Sequence, residues 1–165
     1  MKFLLINICF VGFTQFVIAQ TEKFEKAKVE NKSVFNANID KVWAYLSDLG
    51  NLQNLVPSTI KTSVTEGKGL GSTVILRLQN EGKIVEKVVK LNIKKCIICY
   101  KMIETPLPVK DYLACFKVKE LKNKQVEITF IANFLVQKAN RQARVENFNN
   151  LQLELLRNIK RIFQE

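Results

Sequence analysis

The chain has 165 residues, 47% of them hydrophobic and 25% charged, a balance that suits one globular domain and excludes a disordered chain or a multi-span membrane protein. Lys and Arg number 26 against 15 Asp and Glu, so the formal charge is +11. There is no histidine, which removes the commonest general base and every histidine-based triad.

The first residues, MKFLLINICFVGFTQFVIAQ, place one lysine before a run of Phe, Leu, Ile and Val. Small or branched residues, Val17 and Ala19, stand at the two positions that a signal peptidase inspects. The expectation is a signal peptide over residues 1–19, cleaved near Ala19, and a secreted or periplasmic protein; an N-terminal membrane anchor is the alternative. Asn7, Thr14 and Gln15 break the apolar run and leave it short for a span. Export argues against a nucleic-acid partner, as do lysines spread through the chain without aromatic interleaving. The charge does allow weak contact with an anionic membrane surface.

Residues 20–30 are charged without an apolar period and read as an exposed lead-in to a domain over 31–165. A first strand is expected over Lys32 to Ala37. Asn38 or Asp40 then caps a helix whose apolar residues, Ile39, Val42, Trp43, Leu46 and Leu49, recur at helical spacing, and Gly50 suits its stop. A second short helix over Asn51 to Val56 ends at Pro57. Beyond it the period becomes two, predicting strands over Ile60 to Glu66, Thr73 to Leu78, Lys83 to Ile93, Cys96 to Glu104, Tyr112 to Glu120 and Gln125 to Val136. The short connections GKGLGS, QNEG, NIKK and KNK imply antiparallel hairpins. A last helix from about Asn140 to Phe163 carries Val145, Phe148, Leu151, Leu155, Ile159 and Ile162 as a stripe, with Arg141, Arg144, Arg157, Lys160 and Arg161 largely off it.

The order is one strand, two short helices, six strands and a long helix. A strongly bent antiparallel sheet cannot close its own concave face, and the long amphipathic helix is the element able to fill it. The fold class is α+β: a curved seven-stranded antiparallel sheet wrapped around a C-terminal helix.

That order resembles the START-like or SRPBCC superfamily, the Bet v 1-like helix-grip fold, and within it the polyketide cyclase/dehydrase type. The matching text is VWAYLSDLGNLQNLVPS in the small helices, EGKGLGS before the third strand, VEKVVKL in the fourth and CYKMIETPLPVKDY across a hairpin. The resemblance implies an apolar cavity between sheet and helix for a small hydrophobic or amphipathic molecule, with no cofactor. It is similar in detail to the abscisic acid receptors, whose latch hairpin matches Thr105 to Asp111, followed by a tyrosine at Tyr112. Leu107 and Val109 would then lie over the cavity mouth, and the two prolines would limit the loop's freedom. The receptors' latch histidine and arginine are missing and their gate loop is replaced by QNEG, so hormone-type gating is not implied.

Glu86 matches a family position whose carboxylate points into the cavity, on the strand face of Ile84 and Val88; Lys61 resembles the family lysine that anchors a ligand carboxylate. Alternation turns Tyr112, Ala114, Phe116 and Val118 inward, and Tyr100 is likewise in phase with apolar neighbours. Phe148, Leu151 and Leu155 supply the helix wall, with core filling as the plainer account of all three. Leu76 and Phe130 complete the expected lining, and Trp43 is read as packing. If the protein were an enzyme, Glu86 and Tyr112 would be its catalytic pair, in a cofactor-free cyclase, dehydratase or isomerase. A third reading is an interaction module whose cavity is filled by its own side chains.

Cys96 and Cys99 read CIIC, but residues three apart on a strand face opposite ways and cannot share a metal. A hairpin centred on Leu107 sets Cys99 opposite Cys115 on the outer face, where an exported protein permits a disulfide; free thiols are the alternative. No P-loop, dinucleotide fingerprint or metal-ligand spacing is present.

Overall fold

A computed structural model of the chain describes residues 23–164. The expected signal peptide lies outside the described residues. Seven strands form one antiparallel sheet: β1 (Phe24–Asn36), β2 (Ile60–Glu66), β3 (Thr73–Leu78), β4 (Lys83–Asn92), β5 (Ile97–Glu104), β6 (Val109–Glu120) and β7 (Gln125–Gln137). Their order across the sheet is β1-β7-β6-β5-β4-β3-β2, so every neighbour except the β1–β7 pair is a hairpin partner. Helices α1 (Ile39–Leu46) and α2 (Leu52–Leu55) bridge β1 to β2, and α3 (Arg141–Phe163) closes the chain.

The expected lead-in is corrected. β1 begins at Phe24, and its pairing with β7 runs without a break from Phe24↔Gln137 to Asn36↔Gln125. Between Glu25 and Glu30 only Ala27 and Val29 are buried, so a true period of two is carried by one small and one branched residue among charges. Backbone pairing to β7 holds the segment where side-chain hydrophobicity is weak.

The helical stretch after β1 is also shorter than its apolar spacing implied. Asn38 caps α1 by accepting from the Lys41 amide at 3.1 Å, but the helix stops at Leu46. Asp48 then starts a single 3₁₀ turn by accepting from the Gly50 amide at 2.9 Å, so Gly50 sits inside the turn that leads to α2. Trp43 is half-buried against the core, as packing predicted.

The inner face of the sheet carries Val74, Ile98, Ala114, Phe116, Ile128, Phe130 and Ala132, all nearly inaccessible to water. α3 lies across this face against β1 and β7. Its buried residues are Phe148, Gln152, Leu155, Leu156 and Ile159, whereas Ile162 of the expected stripe is 45% exposed. A polar clamp fixes its register: Asn31 on β1 donates to Asn149 Oδ1 and Gln152 Oε1, each at 3.0 Å, and Gln152 Nε2 donates to the Val29 carbonyl at 3.4 Å. Farther along, Asn158 Nδ2 donates to the Leu55 carbonyl at 3.0 Å, and Ser58 donates through both its amide and its hydroxyl to the Glu154 carboxylate. The helix is therefore tied to β1 on one side and to the end of α2 on the other.

Cys99 and Cys115 are Cα partners on β5 and β6 and form a disulfide, while Cys96 is a free thiol in the turn before β5. The bridge closes a loop with a sequence separation of 16, so the unfolded chain loses freedom that the folded hairpin does not miss. Reduction or Cys115→Ser is expected to lower stability by about 2–4 kcal/mol in denaturant titrations. Equal midpoints with and without reductant, together with no two-proton difference between intact and reduced masses, would refute the bond.

Candidate functional site

Between the concave face and α3 the chain leaves a cavity of about 370 Å³ that its own side chains do not fill. That volume falls within the range of about 300–1,000 Å³ common to small-molecule pockets. The reading of a self-filled interior is not what the structure has. The sheet supplies Leu76 from β3, Ile84 and Glu86 from β4, Tyr100 and Met102 from β5, Tyr112 from β6 and Phe130 from β7. The helix supplies Phe148, Leu151 and Leu155, and Leu107 of the β5–β6 loop also reaches the lining. Nine of the eleven residues expected at the site thus meet there: Leu76, Glu86, Tyr100, Leu107, Tyr112, Phe130, Phe148, Leu151 and Leu155.

Two do not, and each lies beside an irregularity in the strand pairing. The β2–β3 register shifts between Ile60 and Thr62, so Ile60 and Ser63 are both buried although three apart, and Lys61 between them is turned to solvent. Its Nζ lies 3.0 Å from Glu81 Oε1, and it is no cavity lysine. A second irregularity separates Lys110 from Leu113 on β6, with Asp111 in the left-handed region at φ 51°. This inserted residue lets Val109 and Tyr112 both bury. Tyr112 is thereby aimed at the cavity, whereas Val109 goes into the core beside it and does not line the hollow.

The loop before β6 is tight as well as apolar. The Leu107 amide donates to Thr105 Oγ1 at 3.1 Å, and the Val109 amide donates to the Leu107 carbonyl at 2.8 Å. With Pro106 and Pro108 on either side, Leu107 is presented to the cavity at little entropic cost.

Glu86 gives the wall its chemistry. It is 3% exposed, and its Oε2 has no hydrogen-bond partner. Burial pushes its pKa up to about 8, because no positive charge offsets the lost hydration of the carboxylate. At neutral pH the group is mostly a carboxylic acid and can donate a hydrogen bond. Burial, and secondarily the nearness of Glu86, pushes the phenols of Tyr100 and Tyr112 well above their usual range. Around them the wall is aromatic: Tyr112 lies 5.1 Å from Phe148, Phe148 lies 4.8 Å from Phe134, and Phe130 lies 4.2 Å from Phe116, centroid to centroid. On the sheet side a guest would meet an apolar surface with a few neutral proton donors.

Arg144 was missed by reading the last helix as one apolar stripe. It lines the cavity one turn before Phe148, and its Nε is buried with no acceptor. Spacing puts Arg144 on one face with Phe148, Leu151 and Leu155, in steps of four, three and four, but it does not show that this face borders a hollow. Asn147, Asn150 and Glu154 reach the rim for the same reason.

A curved antiparallel sheet that holds a long terminal helix over a side-chain-lined hollow defines a helix-grip protein of the Bet v 1-like class. The chain belongs to the family described as polyketide cyclase / dehydrase and lipid transport, whose profile matches residues 26–163. Among solved structures it is similar to the protein XoxI from Bacillus cereus, with a TM-score of 0.74 and 19% identity over 83% of this chain and 95% of that one. It is also similar to truncated norcoclaurine synthase from Thalictrum flavum (TM-score 0.69, 17% identity, 86% and 96% covered) and to the aromatase/cyclase Zhui from a Streptomyces species (0.71, 16%, 82% and 92%). At such identities these likenesses establish the fold alone. Comparison with curated proteins by sequence finds no match.

Proposed function

We propose that the protein is an exported binder that holds a small hydrophobic or amphipathic molecule, of lipid, steroid, polyketide-like or aromatic character, between sheet and α3. The observation that carries this reading is the unfilled hollow of about 370 Å³, walled by aliphatic and aromatic groups and interrupted by one unpartnered buried acid. A fold that only needed stability would gain by filling it, since each unfilled volume forfeits packing. The hydrophobic leader, MKFLLINICFVGF, supports export, and a disulfide between Cys99 and Cys115 agrees with an oxidising destination.

The test is native mass spectrometry of protein purified from its own host, followed by heat-stability measurements across a lipid, steroid and aromatic panel. A retained molecule in one-to-one ratio, or a clear stabilisation by one panel class, is expected. A bare mass with no stabilisation by any class would overturn the proposal. Leu151→Trp, which places an indole in the hollow, is expected to abolish retention while leaving the fold intact by circular dichroism.

The state of Glu86 favours catalysis as a second reading. A buried acid that titrates near 8 beside Tyr112 is suited to proton transfer, and the family and two of the similar structures are named for enzymes. The reaction would be a cofactor-free cyclisation, dehydration or isomerisation. Glu86→Gln separates the two readings: a binder keeps its guest with altered affinity, whereas an enzyme loses turnover by about two orders of magnitude or more.

A further inference from the structure

We propose that the guest is an organic anion, an apolar body carrying one acidic group, and that Arg144 on α3 holds that group at one end of the cavity. The inference rests on the binding role proposed above and adds the charge and orientation of what is bound.

Among the described residues that line the hollow, Arg144 is the one cation. Its Nε is buried without an acceptor, an arrangement that costs free energy unless an acceptor is supplied from outside the chain. A guanidinium fork pairs best with a planar oxyanion such as a carboxylate, which accepts two parallel hydrogen bonds.

Neither lining acid is placed to satisfy it. Glu86 Oε2 and Arg144 Nε are both without a hydrogen-bond partner, so these atoms do not bond to each other. Glu154 is held by Ser58, and it stands ten residues along α3 from Arg144, about 15 Å at the helical rise.

This placement also orients the guest. Glu154 makes its own end of the rim unfavourable to an anion. The acidic group therefore belongs at the N-terminal end of α3, with the apolar body running over Phe148 and Leu151 toward Leu155. Lys61, turned out to solvent and paired with Glu81, has no part in this.

The experiment compares two acids with their methyl esters, decanoic acid with methyl decanoate and 2-naphthoic acid with methyl 2-naphthoate, by calorimetric titration of the intact protein. In at least one pair the acid is expected to bind about tenfold or more tighter than its ester, the size of a desolvated charge-assisted contact. Arg144→Gln is expected to erase that preference while leaving ester affinity within a few-fold; Arg144→Lys should restore part of it, and Lys61→Gln should leave it intact. Arg144 is only half-buried, so equal melting temperatures of the variants serve as the folding control.

Esters bound as tightly as acids, or a preference that survives Arg144→Gln, would overturn the anion assignment while the binding role stands. Failure of all four compounds to bind, with a bare mass from the host, would overturn both.

Discussion

Glu86→Gln is expected to stabilise the protein in mild alkali and to change it little in acid. The folded state holds the Glu86 proton up to about pH 8, whereas the unfolded chain releases it near 4.5. Between those values the folded state binds more protons, so this group's contribution to stability falls as pH rises. Its favourable side is complete below about 4.5, and its cost is complete above about 8. At about 1.4 kcal/mol per pH unit, that interval sets a ceiling of about 5 kcal/mol. Relaxation of the ionised side chain toward water lowers the expected gain of the variant at pH 9 to about 2–4 kcal/mol. Other carboxylates drop out of the comparison because both proteins share them. Denaturant titrations of the two proteins at pH 4.5 and pH 9 are the measurement. Parallel stability curves would show that Glu86 does not titrate across this range. A loss in the variant at every pH would show that it is ionised and paired.

Phe116→Ala is expected to cost about 3–5 kcal/mol, the range for removing a large aromatic from a packed interior. Phe116 is 0% exposed, with its ring 4.2 Å from that of Phe130 and 5.9 Å from that of Tyr100. Both neighbours line the cavity, so the lost ring leaves space that merges with the hollow and is not closed by a local shift. The same variant should accept bulkier guests. Leu113→Ala, on the outer face of the same strand and 37% exposed, should cost no more than about 1 kcal/mol. A cost below about 1 kcal/mol for Phe116→Ala would mean that the β5–β7 wall is loosely packed and that the cavity is not a fixed feature.

The two strand residues placed wrongly share a cause. Lys61 and Val109 were both carried over from the family resemblance, and each lies beside an irregularity in the strand pairing that such a carry-over does not sense. β4 shows the converse. Its register with β5 also shifts, but Ile84, Glu86 and Val88 keep a common face because the alternation from 84 to 88 on β4 itself is unbroken. β1 was cut short for a different reason: seven of its residues lie in a segment too charged to read as buried, and its pairing with β7 joins positions more than eighty residues apart. Arg144 was passed over because a charge on an amphipathic helix is ordinarily solvated, and only the unfilled hollow beneath it makes the position unusual.

By itself the sequence determined the element order, the inward faces of β4 and of β6 beyond Tyr112, the apolar latch-like loop and the placement of Cys99 opposite Cys115, with bond and free thiols both left open. Each depends on a local period or on the symmetry of a single hairpin, interactions that residues close in the chain decide. Only the tertiary structure decided that the interior stays unfilled, that Lys61 leaves it, that Arg144 enters it and that Glu86 lies there unpaired. Those outcomes depend on how curvature, bulges and the seating of one helix divide a shared volume, and no short stretch of chain contains that information.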